Sequence, residues 1–295
     1  MKKSRLLLLS MVIFPILTVS GCGNGNGKTS GKIRLYSKDE IIENGNYFSM
    51  RTDGMGYSNE TFHKYYTDDT YEKYYYEQTD INTLTVIVDF TDYAIEDLPG
   101  GEEMTYKYVN DCMYGEAEDT QWHSLSSYYK SASFGQCNIT GKVFEHVYHT
   151  EKTAYEFSNE YDGGGSSVAR LAVQDIEKWL KKYDGVDGFA MSDYDANKDG
   201  FFDALMVIYT CPEHVKTSEG KAIDDDLFWA FAWTIGSSRS SLKQPKVDHF
   251  YWASYNFLWE NGYWENGKYL TYTDEQKANG EAKVDAHTCI HEFGH

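Results

Sequence analysis

Residues 84–90 read Leu84-Thr85-Val86-Ile87-Val88-Asp89-Phe90, a nearly continuous run of apolar and β-branched side chains. A run of this length and composition is typical of a strand that is buried on both faces of a sheet. Ala204-Leu205-Met206-Val207-Ile208-Tyr209 has the same character, and residues 249–257 alternate enough to predict another strand. We therefore expect a domain that begins near residue 81 and is built on a central sheet.

Helical patterns lie between these strands. Residues 124–133 predict a short helix that ends before Gly135, and residues 137–144 predict a strand after it. Residues 166–183 carry apolar side chains at steps of three and four, which is typical of an amphipathic helix with Ser166 or Ser167 as its cap. Because helices and strands alternate, the sequence predicts an α/β fold in which helices pack against a mixed, twisted sheet.

Composition and charge restrict the class of partner. The chain has 295 residues, of which 41% are hydrophobic and 16% aromatic, so it can bury a substantial core. Its formal net charge is -19. So acidic a chain repels phosphate backbones and anionic lipid head groups, which argues against nucleic acid or a membrane surface as an electrostatic partner.

The N-terminus resembles a bacterial lipoprotein signal. Three basic residues within positions 2–5 precede an apolar stretch at 6–17, which is too short to span a bilayer. Val19-Ser20-Gly21-Cys22 follows, so residues 1–21 are predicted to be the signal and Cys22 the lipidated anchor to the membrane. In the alternative, an ordinary secretory signal is cleaved and Cys22 is incidental.

Residues 22–80 lack a sustained helical or strand period. Glycine and asparagine alternate at 23–27, which predicts a flexible tether, and we interpret the remainder as an extension or the remnant of a pro-segment. Beyond Cys22, four cysteines allow three disulfide pairings, and buried free thiols are an equal alternative: Cys112, Cys137, Cys211 and Cys289.

A metal-binding pattern occupies the last residues, His291-Glu292-Phe293-Gly294-His295. On a helix, His291 and His295 share a face and can both reach one zinc ion, while Glu292 can act as the general base on a water molecule. The alternative is a helix with two surface histidines. His287 lies one turn earlier, and we interpret it as a structural residue or as one that hydrogen-bonds to the metal ligands. In the alternative, His287 and His291 form the pair of zinc ligands.

A second candidate site reads Asp195-Ala196-Asn197-Lys198-Asp199-Gly200-Phe201-Phe202-Asp203. Oxygen-bearing side chains at alternate positions and a glycine at the sixth match the first half of an EF-hand loop. The predicted calcium ligands are Asp195, Asn197, Asp199, the carbonyl of Phe201, and Asp203, although the twelfth position is Met206 instead of glutamate. A turn that holds no ion is the alternative. A dockerin-like module is disfavoured because the sequence has no second loop of this kind nearby.

These motifs together resemble the immune inhibitor A family, peptidase family M six. The resemblance covers roughly residues 81–295 and rests on blocks in the family's order: the 84–90 strand, Ser127-Tyr128-Tyr129, Ser133-Phe134-Gly135, the loop at 195–203 with its strand, and the 291–295 motif. It implies a secreted zinc endopeptidase of metzincin-like fold that contains calcium and acts on extracellular proteins or peptides.

The family pattern continues beyond the second histidine with a glycine and an aspartate that serves as third ligand. The resemblance therefore implies that residues 81–295 are the upper lobe of a catalytic domain, with the zinc-binding helix at its C-terminal end, and that this chain is an inactive N-terminal part. The alternative is a non-catalytic, calcium-binding surface lipoprotein that keeps the fold. The intact Glu292 favours the enzyme, because a binding protein needs no base.

Overall fold

The computed structural model describes residues 80–133, 135, 137–159, 165–213, 227–236 and 243–294, which all fall within one compact unit, Met50–His295. The predicted signal, the tether, Cys22 and His295 lie outside the described residues. Within the described ranges, no helix is both long and apolar enough to cross a membrane.

Eight strands and six α-helices form in the described residues. The strands are β1 (Asp80–Asp89), β2 (Asn138–Val143), β3 (Tyr148–His149), β4 (Leu205–Tyr209), β5 (Phe231–Thr234), β6 (His249–Ser254), β7 (Tyr263–Glu265) and β8 (Lys268–Leu270). The helices are α1 (Gly101–Tyr114), α2 (Leu125–Ala132), α3 (Ala154–Ser158), α4 (Gly165–Leu180), α5 (Asp274–Ala278) and α6 (His287–Phe293).

The central sheet has the order β2-β1-β4-β6-β5, and β3 also pairs with β1. All pairings in this sheet are parallel except that of β5, which runs antiparallel to β6 at the edge. The strands β7 and β8 form a separate hairpin. This mixed α/β fold with a mostly parallel sheet and packed helices confirms the predicted class.

The two faces of the sheet are covered by different helices. On one face, Val86, Val207 and Trp252 belong to a buried apolar cluster with Val173 and Ile176 of α4. Because side chains alternate along a strand, the neighbouring residues face the other way. There Thr83 and Thr85 contact the Tyr114 hydroxyl of α1 at 2.8 Å, and Tyr251 reaches Cys289 of α6. The C-terminal helix is thus held on the sheet face that α1 also covers.

Most of the predicted elements are present, with shifts at their ends. The first strand starts at Asp80, and β2 and β4 match their predictions to within a residue. The predicted helix at 124–133 is α2, and Ser124 closes its N-terminus with Ser127 in a reciprocal capping box. The strand predicted at 249–257 ends at Ser254, because a 3-10 turn follows at Tyr255–Trp259.

The predicted cap of the long amphipathic helix was wrong. That helix, α4, begins at Gly165, so Ser166 and Ser167 lie inside its first turn. A cap must precede the first helical residue, which neither serine does. Helix α1 was not predicted, because its tyrosine and asparagine residues give a weak apolar stripe although Val109, Cys112 and Met113 are buried.

Candidate metal centre

The short helix α6 presents two of its histidines to solvent. Thr288, Cys289 and Ile290 are buried, whereas His287 and His291 are exposed one turn apart. At its start, the backbone N–H of His287 donates to the Asp285 carboxylate at 3.1 Å. A negative charge near the N-terminus of a helix also interacts favourably with the helix dipole. The buried side of α6 therefore fixes the helix, and its other side displays imidazoles.

Several hydrogen bonds attach α6, and the residue Asp285 just ahead of it, to the rest of the domain. The Tyr129 hydroxyl donates to the carbonyl oxygen of Ile290 at 2.8 Å, and the Tyr251 hydroxyl donates to the Cys289 sulfur at 3.1 Å. The Asp285 N–H donates to the carbonyl oxygen of Leu258 at 2.9 Å. Burial raises the pKa of Tyr129 and that of Tyr251, so both hydroxyls keep their protons and remain donors.

Tyr129 also explains the glycine within the 291–295 motif. A β-carbon at Gly294 would lie 2.8 Å from the Tyr129 hydroxyl oxygen, which is closer than a side chain tolerates. The Tyr129 ring additionally packs against Phe293, with 5.7 Å between ring centroids. The tyrosine block at 127–129 is therefore a support for α6, a role that local sequence patterns do not reveal.

His291 and Glu292 differ in exposure and lie close together. The His291 side chain is 68% exposed and that of Glu292 is 13% exposed, with 3.9 Å between the His291 Nε2 and a Glu292 carboxylate oxygen. A carboxylate therefore lies near the imidazole of an exposed histidine. His295, the second predicted ligand, lies outside the described residues.

His287 belongs to a network of carboxylates. Its Nδ1 lies 2.7 Å from Asp285 and its Nε2 lies 3.3 Å from Glu260. The hydrogen bond with Asp285 raises the pKa of His287, whereas the pKa of Asp285 is lowered by its bonds from His287 and Asn261 despite its burial. Both ring nitrogens thus face acidic groups, an arrangement that favours a structural role over metal binding.

The residues at α6 fit zinc in type but do not complete its usual set. The exposed imidazole of His291 is a ligand type that zinc prefers, and the neighbouring Glu292 is of the type that acts as a base beside the metal. Three protein ligands are usual in a catalytic zinc site. Within the part of the chain that the structure describes, no three His, Cys, Asp or Glu side chains are arranged to hold a metal ion.

The predicted calcium loop folds tightly around its own carboxylates. Asp195 accepts from the N–H groups of Asp199 and Gly200 at 2.9 and 3.0 Å, and Asn197 accepts from the Asp199 N–H at 2.9 Å. Gly200 has a φ of 90°, a backbone conformation that residues with a side chain rarely adopt. Phe201, whose carbonyl oxygen is a predicted ligand, follows Gly200. Its N–H donates to the Asp199 carboxylate at 2.9 Å. These bonds preform the loop before any ion binds.

Two carboxylates of this loop, those of Asp195 and Asp203, are buried. Burial raises the pKa of Asp203 to about 7, although the N–H groups of Asn82 and Ala196 donate to its oxygens. Burial also raises the pKa of Asp195, to which the nearby Asp199 adds repulsion. Removing a carboxylate from water is costly unless a positive charge compensates it. The loop therefore gathers oxygen donors of the type that calcium prefers, although no three of its acidic side chains are arranged around one point in the described structure.

A cavity of about 590 Å³ lies away from α6. Carboxylates dominate its wall, together with aromatic and imidazole rings that include Trp179, Tyr183 and His146. None of the residues that line this cavity comes from α6 or from the 195–203 loop. It consequently offers no substrate pocket for the candidate metal centre.

No family model matches the chain, and no curated protein matches it either.

Several residues that matter at this centre were missed at first. Asp285, Glu260 and Asn261 surround His287, and Tyr251 supports Cys289. Glu260, which accepts a hydrogen bond from the Thr288 hydroxyl, lies 28 positions from Thr288, and Tyr251 lies 38 positions from Cys289. Contacts between residues so far apart in the sequence leave no periodic pattern from which they could be predicted. Asp285 could have been found, because an aspartate just ahead of a helix is a usual N-terminal signal.

Proposed function

We propose that this protein is an exported zinc endopeptidase in which His291 and His295 hold the metal and Glu292 is the general base. The observation that carries the proposal is the geometry of α6, where the Glu292 carboxylate lies 3.9 Å from the exposed His291 imidazole. A buried helix side, fixed by Tyr129 and Tyr251, supports the precision that catalysis requires.

Zinc, when bound, would lower the pKa of a water molecule and polarise the carbonyl of the scissile peptide. Glu292 would accept a proton from the attacking water at its carboxylate and return it to the leaving amine. The low exposure of the Glu292 side chain limits competing hydration of that carboxylate. Tyr129 and Tyr251 would keep α6 in register without touching the substrate.

The sheet edge beside α6 suits an extended peptide. Strand β5 contacts α6 and, among the described strands, pairs on one side with β6. An extended substrate can add to such an edge through backbone hydrogen bonds. The Trp233 side chain on β5 is 53% exposed, which offers an aromatic surface to substrate side chains. This arrangement supports a peptide over a small molecule as substrate.

The metzincin-like assignment, the bound calcium and the location belong to the same proposal. A mostly parallel sheet with one antiparallel edge strand and a C-terminal motif helix is compatible with that fold. Calcium would neutralise the buried carboxylates at 195–203. Attachment to the membrane through Cys22 stays a prediction, and acyl groups on the N-terminal peptide of membrane-fraction protein, detected by mass spectrometry, would test it.

Zinc dependence of peptide hydrolysis tests the proposed activity. We expect the protein, with any residues that its gene encodes beyond His295, to cleave an unfolded protein substrate. A zinc chelator should abolish cleavage, and zinc should restore it after the chelator is removed, whereas calcium alone should not. Cleavage that persists in zinc-free protein would contradict the proposal.

A further inference from the structure

Two buried thiols from different helices face each other beneath the candidate metal helix. The Cys112 sulfur on α1 lies 3.5 Å from the Cys289 sulfur on α6, and 177 sequence positions separate the two residues. Both are fully or almost fully buried, and both are free thiols in this structure. The sequence alone leaves three pairings of the four cysteines open. This contact favours the pair Cys112–Cys289.

The two sulfurs are already close to the distance of a covalent bond. A disulfide has a sulfur–sulfur distance of about 2.0 Å, so the two sulfurs need to approach by about 1.5 Å. Cys112 is on the buried side of α1 next to Val109 and Met113, and Cys289 is on the buried side of α6. The two thiols therefore meet where the buried sides of these two helices face each other.

We propose that Cys112 and Cys289 form a disulfide in the exported protein, which ties the candidate metal helix α6 to α1. The proposal requires an oxidising compartment, as the predicted signal implies, but it does not require peptidase activity. Cys289 lies between Thr288 and Ile290 on the buried side of the helix that carries His291. A bond there would restrain the same helix that Tyr129 and Tyr251 hold through hydrogen bonds.

A small disulfide such as glutathione disulfide can serve as the oxidant that forms the Cys112–Cys289 bond. One cysteine thiolate attacks a glutathione sulfur and releases a glutathione thiolate, which leaves a mixed disulfide on the protein. The second cysteine, once deprotonated, attacks the protein sulfur of that mixed disulfide and releases the second glutathione. The two cysteines are oxidised, and two glutathione thiols take up the two protons.

The bond should form while the chain folds. The hydrogen bond with Cys289 and burial raise the pKa of Cys112, so the thiol keeps its proton and reacts slowly in the folded domain. Exchange requires a thiolate with access to the oxidant. We therefore expect fast oxidation during refolding and slow oxidation of protein that was folded under reducing conditions.

Peptide mapping after refolding tests the pairing. Each cysteine at 112, 137, 211 and 289 falls in a separate tryptic peptide: 108–130, 131–142, 199–216 and the peptide that begins at 284. After refolding with glutathione disulfide and alkylation of remaining thiols, we expect the 108–130 peptide to be joined to the one that begins at 284. A phosphine reductant should separate them and lower Tm by about 5–15 °C.

Cysteine variants provide matched controls. Cys112→Ser and Cys289→Ser should each abolish the joined peptide, whereas Cys211→Ser, at another buried cysteine, should leave it intact. Oxidation in concentrated urea should give mixed pairings instead. The result does not depend on how well the variants fold, because the parent protein is mapped directly. Alkylated peptides at both 112 and 289 after oxidative refolding, or a dominant different pair, would overturn the proposal.

Discussion

Replacement of Glu292 by glutamine should leave zinc bound and reduce peptide hydrolysis by several orders of magnitude. The amide roughly preserves the shape of the side chain, and the imidazole of His291 is unchanged. General-base assistance of about a hundred- to ten-thousand-fold disappears with the carboxylate, together with the charge that orients the attacking water. The measurement is the ratio of kcat/KM values for parent and variant on one unfolded substrate, with zinc content determined for both.

Glu275→Gln provides the matched control, because it makes the same chemical change on an exposed position of helix α5. It should retain the parent rate and zinc content. A Glu292→Gln protein that cleaves as fast as the parent would contradict the role of Glu292. If the parent itself binds zinc but cleaves nothing, the non-catalytic lipoprotein becomes the better account.

Removal of calcium should give the second large effect, a loss of stability centred on the 195–203 loop. An ion at a hundred times its Kd stabilises the folded state by about 2.7 kcal/mol, which corresponds to a Tm change of roughly 5–10 °C for a domain of this size. Because common chelators also remove zinc, each metal is added back separately. We expect calcium, and not zinc, to restore most of the lost Tm.

Two variants locate this effect. Asp199→Ala should abolish the response of Tm to calcium, because it removes a predicted ligand. Asp97→Ala removes an exposed aspartate outside the loop and should keep the full response. A chelator that leaves Tm unchanged, while Asp199→Ala lowers it, would show that the loop is a turn that holds no ion.

The pH dependence of the calcium-free protein follows from Asp203. Its folded-state pKa of about 7 lies above the ordinary value of 3.8, so between these values the folded state binds a proton that the unfolded state does not. Stability should therefore fall as pH rises through this window, by at most on the order of 4 kcal/mol. Calcium should flatten that dependence, because a bound cation favours the ionised carboxylate.

The central strands and α4 could be predicted because their local patterns are strong. Apolar β-branched runs at 84–90 and 204–209 read as buried strands, and the stripe from Val168 to Leu180 reads as a helix face. Edge strand β5 and helix α1 were missed. The strand β5 has only four residues, and these show no clear alternation of polar and apolar side chains. Helix α1 is buried through contacts with other elements, among them β2 and the 3-10 turn at Tyr255–Trp259.

The candidate motif of α6 could be found because its residues are adjacent in the chain, whereas the residues that support this helix could not. His291 and Glu292 are neighbours in the sequence, so they lie close together whatever the rest of the domain does. Tyr129, Tyr251 and Cys112 reach α6 from other elements, across 161, 38 and 177 positions. Such contacts depend on how the helices pack against the sheet. The local sequence pattern does not contain this packing, so these three contacts could not be predicted from it.

Locating the metal in crystals is the most direct test of the central claim. Diffraction data collected on both sides of the zinc absorption edge, from protein with any residues encoded beyond His295, should show one anomalous peak at α6. We expect the peak about 2.0–2.1 Å from a nitrogen of His291 and of His295, with the Glu292 carboxylate outside the ligand set. A zinc peak held by His287 in place of these residues, or zinc-loaded crystals with no peak at α6, would contradict the account.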